Sequence, residues 1–130
     1  MYYFEKDYIM RLIHGISRIL ARMLFNRDLD EPGDILSVMD SGTRESSDYL
    51  FRLIDEGKIN EAEDKLFEMI RTSAWERQQL SALILAFYDR VNDKDDEFLS
   101  NAGFPRNEIS AGMEDALNEI GVEVPEYLKI

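Results

Sequence analysis

The sequence predicts an all-α protein, a multi-helix bundle of about six or seven helices. Apolar residues recur at intervals of three and four in segment after segment, the period of a helix with one buried face. Gly, Pro and Asn punctuate the boundaries between those segments. No alternating stretch is long enough to read as a strand. At 130 residues the chain is expected to form one domain, burying roughly two-thirds of its unfolded surface.

A long first helix runs from Asp7 to about Asn26, within residues 1–27. Ile9, Leu12, Ile13, Ile16, Ile19, Leu20, Met23 and Leu24 share one side of it. At about 100° per residue they fill an arc of roughly 140°, wider than an ordinary surface helix needs. Arg11, Arg18 and Arg22 fall together on the opposite side. Met10 and Phe25 lie off the main stripe, so the helix is expected to meet a second surface. Asp28 to Gly33 is a break marked by Pro32-Gly33. Asp34 then caps a short second helix, Ile35 to Met39, which Ser41-Gly42 closes.

Residues 43–71 read as a helical hairpin. Thr43 is its expected N-cap, or Ser46 or Ser47 for a later start. Leu50, Leu53 and Ile54 form the buried stripe of its first helix, with Tyr49 beside them. Gly57 stands just past that helix, where only glycine enters the left-handed region without a Cβ penalty. Asn60 is placed to cap the next helix, with Glu63 three residues on to complete a capping box. That helix extends from about Glu61 to Arg71, with small Ala62 where the two helices would cross and Leu66 one turn further. Gly57, Ile59, Ala62, Leu66 and Met69 together resemble the turn and second half of a tetratricopeptide repeat. Leu50 and Ser46 depart from the first half of that pattern. No second copy stands one period away, and such repeats need neighbours to bury a continuous core. The resemblance therefore implies one hairpin inside a helical domain and not a solenoid.

Residues 73–121 hold the central and last helices. The fifth helix is expected from near Ser73 to about Val91, with Trp75 in its first turn closing one end of the core. Leu80, Leu83, Ile84, Phe87 and Val91 make one face, and Ala82, Leu85 and Ala86 leave little polar surface elsewhere. A helix apolar nearly all round belongs in the middle of a domain. Asn92-Asp93 ends it and caps a short helix through Leu99, with Gly103 behind. Pro105 stands at the start of the last helix, where its missing donor costs nothing. Ile109, Met113, Ala116, Leu117 and Ile120 keep helical spacing as far as Gly121. Residues 122–130 form a Pro-containing tail, expected to dock through Tyr127 and Leu128.

The opening Phe4, Glu5, Asp7, Tyr8, Ile9, Arg11 and Ile13 contain an F-E-x-D-Y-I-x-R pattern. It resembles the start of a family of small, functionally uncharacterised bacterial proteins, several with tetratricopeptide-like helices downstream. That resemblance covers the first helix and implies no activity.

Charge and composition narrow the function. Fifteen Lys and Arg against 27 Asp and Glu leave a net charge of −12, which repels phosphate backbones, so nucleic acid is not an expected partner. The absence of cysteine excludes disulfides, thiolate metal sites and cysteine nucleophiles. No apolar run approaches the ~18 residues of a membrane span, and the N-terminus does not read as a leader. A cytoplasmic protein with no membrane partner is expected.

Catalytic chemistry finds no foothold. His14, the one histidine, has Met10, Arg11, Ser17 and Arg18 as helical neighbours, with no carboxylate and nucleophile to complete a relay. It reads as a surface or interface histidine. Asp93 to Glu97 would open a calcium loop, but Phe98 and Phe104 occupy the positions that need Gly and a bidentate Glu. These acids read as favourable charges at a helix N-terminus. One histidine cannot supply the two Glu-x-x-His motifs of a carboxylate two-metal bundle, and phosphate loops and nucleophile elbows are absent. No catalytic, metal or cofactor-binding residue is expected, and no cofactor.

An interaction surface on the first helix remains: Met10, Arg11, His14, Arg18, Arg22 and Phe25. Its arginines are read first as partners of the protein's own surplus acids or of a second subunit's, each exposed pair contributing a fraction of a kcal/mol. The expected function is a non-enzymatic protein-interaction or adaptor module with a protein partner, homo-oligomeric through the first helix. The alternatives are a regulator binding a small ligand or nucleic acid through the basic face, and an enzyme whose site the sequence does not advertise.

Overall fold

The computed structural model describes the backbone of residues 2–25 and 35–128, and their side chains except those of residues 2–7 and Tyr127. The expected break from Asp28 to Gly33, the Asp34 cap and the docking of Tyr127 lie outside that description. Six α-helices follow one another: α1 Tyr2–Phe25, α2 Ser41–Asp55, α3 Ile59–Thr72, α4 Arg77–Asn92, α5 Asp96–Asn101 and α6 Glu108–Glu119. A 3₁₀ turn, Glu126–Leu128, closes the tail and buries Leu128. The described residues contain no strand, so the fold is all-α.

Helix α4 is the centre. Residues 81–89 are buried without interruption, and α1, α2, α3 and α6 all pack on it. It begins at Arg77 and not near Ser73. Ser73 and Glu76 have extended dihedrals, and Trp75 packs against the core from this extended connection, not from a helical turn. Among residues 35–39, only Ile35 and Leu36 are helical; Val38 and Met39 close turns onto them.

Helix ends show which polar residues are used as caps. Asp40, not Thr43, caps α2: its carboxylate accepts from the Thr43 amide at 2.9 Å, while Thr43 is buried one turn into the helix. That bond holds the Asp40 carboxyl below its ordinary range. Asp95, not Asp93, caps α5 by accepting from the Phe98 amide at 2.8 Å. Helix α6 starts at Glu108, and Pro105 instead opens the preceding turn by accepting from the Glu108 amide. For α2 and α5 the cap is the aspartate whose short side chain reaches the orphan amide three residues on, whereas α6 has no side-chain cap.

The hairpin of α2 and α3 closes as its glycine requires. Gly57 has φ of +84°, its amide bonds to Ile54 and that of Lys58 to Leu53, both at 2.9 Å. This is the Schellman arrangement that satisfies the last carbonyls of a helix. The expected capping box does not form. Helix α3 starts at Ile59 behind Lys58, with no side-chain cap; Asn60 donates instead to the carbonyls of Ala102 and Gly103, and Glu63 is taken by Tyr88. Ala62 is completely buried. Ala62→Leu is therefore expected to overpack the core and cost roughly 1–3 kcal/mol. Gly57→Val is expected to destabilise through its backbone alone, since a Cβ there would touch nothing within 4 Å but β-branched residues resist positive φ. Denaturant midpoints that stay unchanged for both variants would refute this account of the hairpin.

Candidate interaction surface

Helix α1 divides its wide apolar arc in two. Ile13, Ile16 and Leu20, with Ala21 and Ser17, are buried, and Ile9, Leu24 and Phe25 pack partly buried against the core. Packing on α4 thus covers one half of the arc. The other half is left at the surface: Ile19 is 37% and Met23 56% exposed, and Tyr8, 59% exposed, continues their line. Leu12 is half-buried on the same line.

Tyr8, Leu12, Gly15, Ile19 and Met23 follow one another at steps of three and four residues. At about 100° per residue they occupy an arc of roughly 80°, turned away from the face that meets α4. The line is about 22 Å long at 1.5 Å per residue. Gly15 lies at its midpoint. A glycine inside a helix is less favourable than alanine by about 0.5–1 kcal/mol. Nothing in the described fold asks for it: its φ is not positive, and a Cβ would meet no atom within 4 Å.

The six residues singled out in the sequence lie within an arc of roughly 120° beside this line, but with different exposure. Arg11 and Arg22 are exposed and border the apolar line. Arg18, His14 and Met10 are half-buried on the far side of those arginines, and the Met10 carbonyl accepts from Asn92 Nδ2 at 3.1 Å. Phe25 turns inward and packs against the core. The outward apolar residues are therefore Tyr8, Leu12, Ile19 and Met23. Periodicity had placed the last three in a single stripe and could not say which half α4 would cover.

Behind this surface the polar interior is built to hold elements together. Arg106 is 8% exposed. Its Nε donates to Asp96 at 2.9 Å, and Nη1 donates to the backbone and side-chain oxygens of Asn92 at 2.9 and 3.1 Å. Nη2 donates to the Lys94 carbonyl. Because Asn92 also donates to α1, one guanidinium and one amide join α1, α4, α5 and the loop before α6.

Asp89 is the buried acid of α4, 9% exposed. Burial pushes its carboxyl up to about 7; the Ser17 hydroxyl from α1 offsets part of this, and Asp93 adds repulsion. Its position was legible after all, because at 100° per residue it falls near Ala82 and Leu85 on an apolar face.

The third polar centre lies between α3, α4 and α6. The buried Tyr88 hydroxyl donates to Glu63 at 2.7 Å. Burial raises the Glu63 carboxyl, the Tyr88 bond opposes that, and Glu108, Asp64 and Asp115 add to it. Gly112 makes the space: a Cβ there would stand 2.6 Å from Glu63 Oε2 and 2.9 Å from the Tyr88 hydroxyl oxygen. On the surface, Asp55 receives Arg90 and Lys94, each at 2.6 Å. The Arg90 bond is the main reason that its carboxyl falls to about 2.

Neither a metal site nor a membrane span is formed by the described residues. No group of three or more His, Asp or Glu among them converges as metal ligands, and no described helix is long and apolar enough to cross a membrane. A cleft of about 170 Å³ lies between Ile16, Met113 and Leu128, with Glu114 at its edge.

Comparison with known families decides the membership. The family of unknown function DUF6483 matches residues 3–121. The chain belongs to this family. The match takes in all six helices except the first residue of α1, so DUF6483 membership extends well past the opening motif of the first helix. No curated protein and no solved structure matches the chain.

Proposed function

We propose that this member of DUF6483 is a non-enzymatic, cytoplasmic protein-interaction module that works through the outer face of α1. The observation that carries the reading is the exposed side chains of Tyr8, Ile19 and Met23, with half-buried Leu12 and Gly15 on the same line. Apolar side chains aligned into one patch at a surface, unlike ones scattered singly, mark an interaction site. The helix-breaking residue among them costs stability without an internal return. The tetratricopeptide likeness of the α2–α3 hairpin supports the same class of function by analogy of fold.

A photo-cross-linking amino acid tests this directly. Placed at Ile19 in cells making the protein, it is expected to give discrete protein adducts. Placed at Asp48, an exposed residue of α2, it is expected to give none of the same bands. Equal labelling from both positions, or no adduct from Ile19, would remove the α1 face from consideration.

A further inference from the structure

We infer that α1 is a releasable arm, docked on α4 while Asp89 is protonated and set free, with the other helices still folded, when Asp89 ionises. The packing allows such a division. Helix α1 meets one neighbour extensively, α4, and it does so through Ile13, Ile16, Leu20 and Ala21. Helices α2, α3 and α6 also pack on α4, and in addition α2 packs on α3 and α3 on α6. These four stay joined to one another when α1 leaves.

Asp89 stands in the α1–α4 contact with its hydrogen bonding unmet. It is buried, and the buried Ser17 hydroxyl of α1 faces it. Neither Ser17 Oγ nor Asp89 Oδ1 has a hydrogen-bond partner among the described residues. The charged groups around them supply no counter-ion. On α4, Asp93 repels the carboxyl from one turn on, while Arg90 is turned to Asp55 and Tyr88 to Glu63. On α1, His14 and Arg18 flank Ser17, yet the Ser17 hydroxyl is what favours the ionised form. Arg106 directs its donors to Asn92, Lys94 and Asp96. From α3 and α6, Asp64, Glu108 and Asp115 act on Glu63 beside Tyr88, about 100° around α4 from Asp89. An ionised Asp89 therefore needs water as its donor, and α1 is the element that keeps water from it. The carboxyl titrates at about 7 in the fold against an ordinary 3.8. Docking is firmest below pH 3.8, weakens about tenfold per pH unit up to 7, and then levels off roughly a thousandfold weaker.

Hydrogen exchange of the full chain tests this, each amide rate being divided by its intrinsic rate at the same pH. A helix as short as α1 is marginal once alone, so its amides exchange when it leaves. At pH 7 they are expected to exchange about tenfold or more faster than the most protected amides of α2 and α3. Their protection is expected to fall steadily from pH 4 to pH 7. Asp89→Asn keeps the shape of the side chain and cannot ionise; it is expected to abolish that fall and to raise α1 protection at pH 7. His14→Gln removes the histidine of α1, a residue type that titrates in the same range, and is expected to leave the fall in place. Equal protection of α1, α2 and α3 at pH 7 would mean that the chain opens only as a whole, and would overturn the release. A fall that persists in Asp89→Asn, or vanishes in His14→Gln, would overturn Asp89 as its trigger.

Discussion

Replacing Arg106 by alanine is expected to destabilise the protein by about 3–5 kcal/mol, the range for removing one partner of a buried ion pair. Three acceptors from α4 and the turn after it, and the Asp96 carboxylate of α5, converge on this guanidinium. Without it, buried carbonyls lose their donor, and each unsatisfied group adds to the loss. Arg106→Lys is expected to recover only a minor part, because a single ammonium cannot reproduce a fork that donates in three directions. Denaturant unfolding measures the total. Hydrogen exchange locates it, and faster exchange is expected first in α5 and in the turn on either side. A loss below about 1 kcal/mol for the alanine variant would show that the network contributes little beyond its geometry.

Asp89 sets an opposing dependence on pH. Its carboxyl titrates at about 7 in the fold against an ordinary value of 3.8. Below pH 3.8 it is protonated in both states and adds no penalty. Between 3.8 and 7 the unfolded chain ionises and the folded one does not, so stability falls by about 1.4 kcal/mol per pH unit from this group. Above 7 the accumulated loss levels off, at about 4 kcal/mol. Other carboxylates respond in the opposite sense: Asp55, held at about 2, contributes stability that is lost as the pH falls. The informative quantity is therefore the difference between the protein and Asp89→Asn. The variant is expected to gain steadily on the parent from pH 4 to pH 7 and to hold a constant advantage above that. A difference that does not change across this range would remove Asp89 as a buried acid.

What could be read from the sequence depended on how local the cause was. Gly57 and Gly121 were legible as helix ends because positive φ is decided within a few residues, and both glycines adopt it. Helix α4 was legible as the core because no polar face remained for water. The caps were displaced by two or three residues, since Thr43 and Asp93 are plausible by type while only Asp40 and Asp95 reach an orphan amide. Asn60 and Glu63 fit a capping box by spacing, but partners 43 and 25 residues away claimed them. Arg106 left no trace in any periodicity, because its role exists only once α4 and α5 are folded around it. The surface of α1 was half legible. The width of the arc announced more apolar surface than one neighbour covers, while which half α4 buries is decided by packing that no count along α1 contains.

The packing of α1 on α4 also fixes an order of events during synthesis. Helix α1 leaves the ribosome first, and the surface it folds against is made only when residues 77–92 have followed. At ~5–20 residues per second this interval lasts several seconds. Throughout it the helix has neither its inner face nor its outer face covered. A nascent chain in this state presents Ile13, Ile16 and Leu20 together with Ile19 and Met23, an apolar stripe over roughly a third of the helix circumference. Chaperone occupancy of the emerging chain is thus expected to be greatest before α4 appears and to decline once α4 is available.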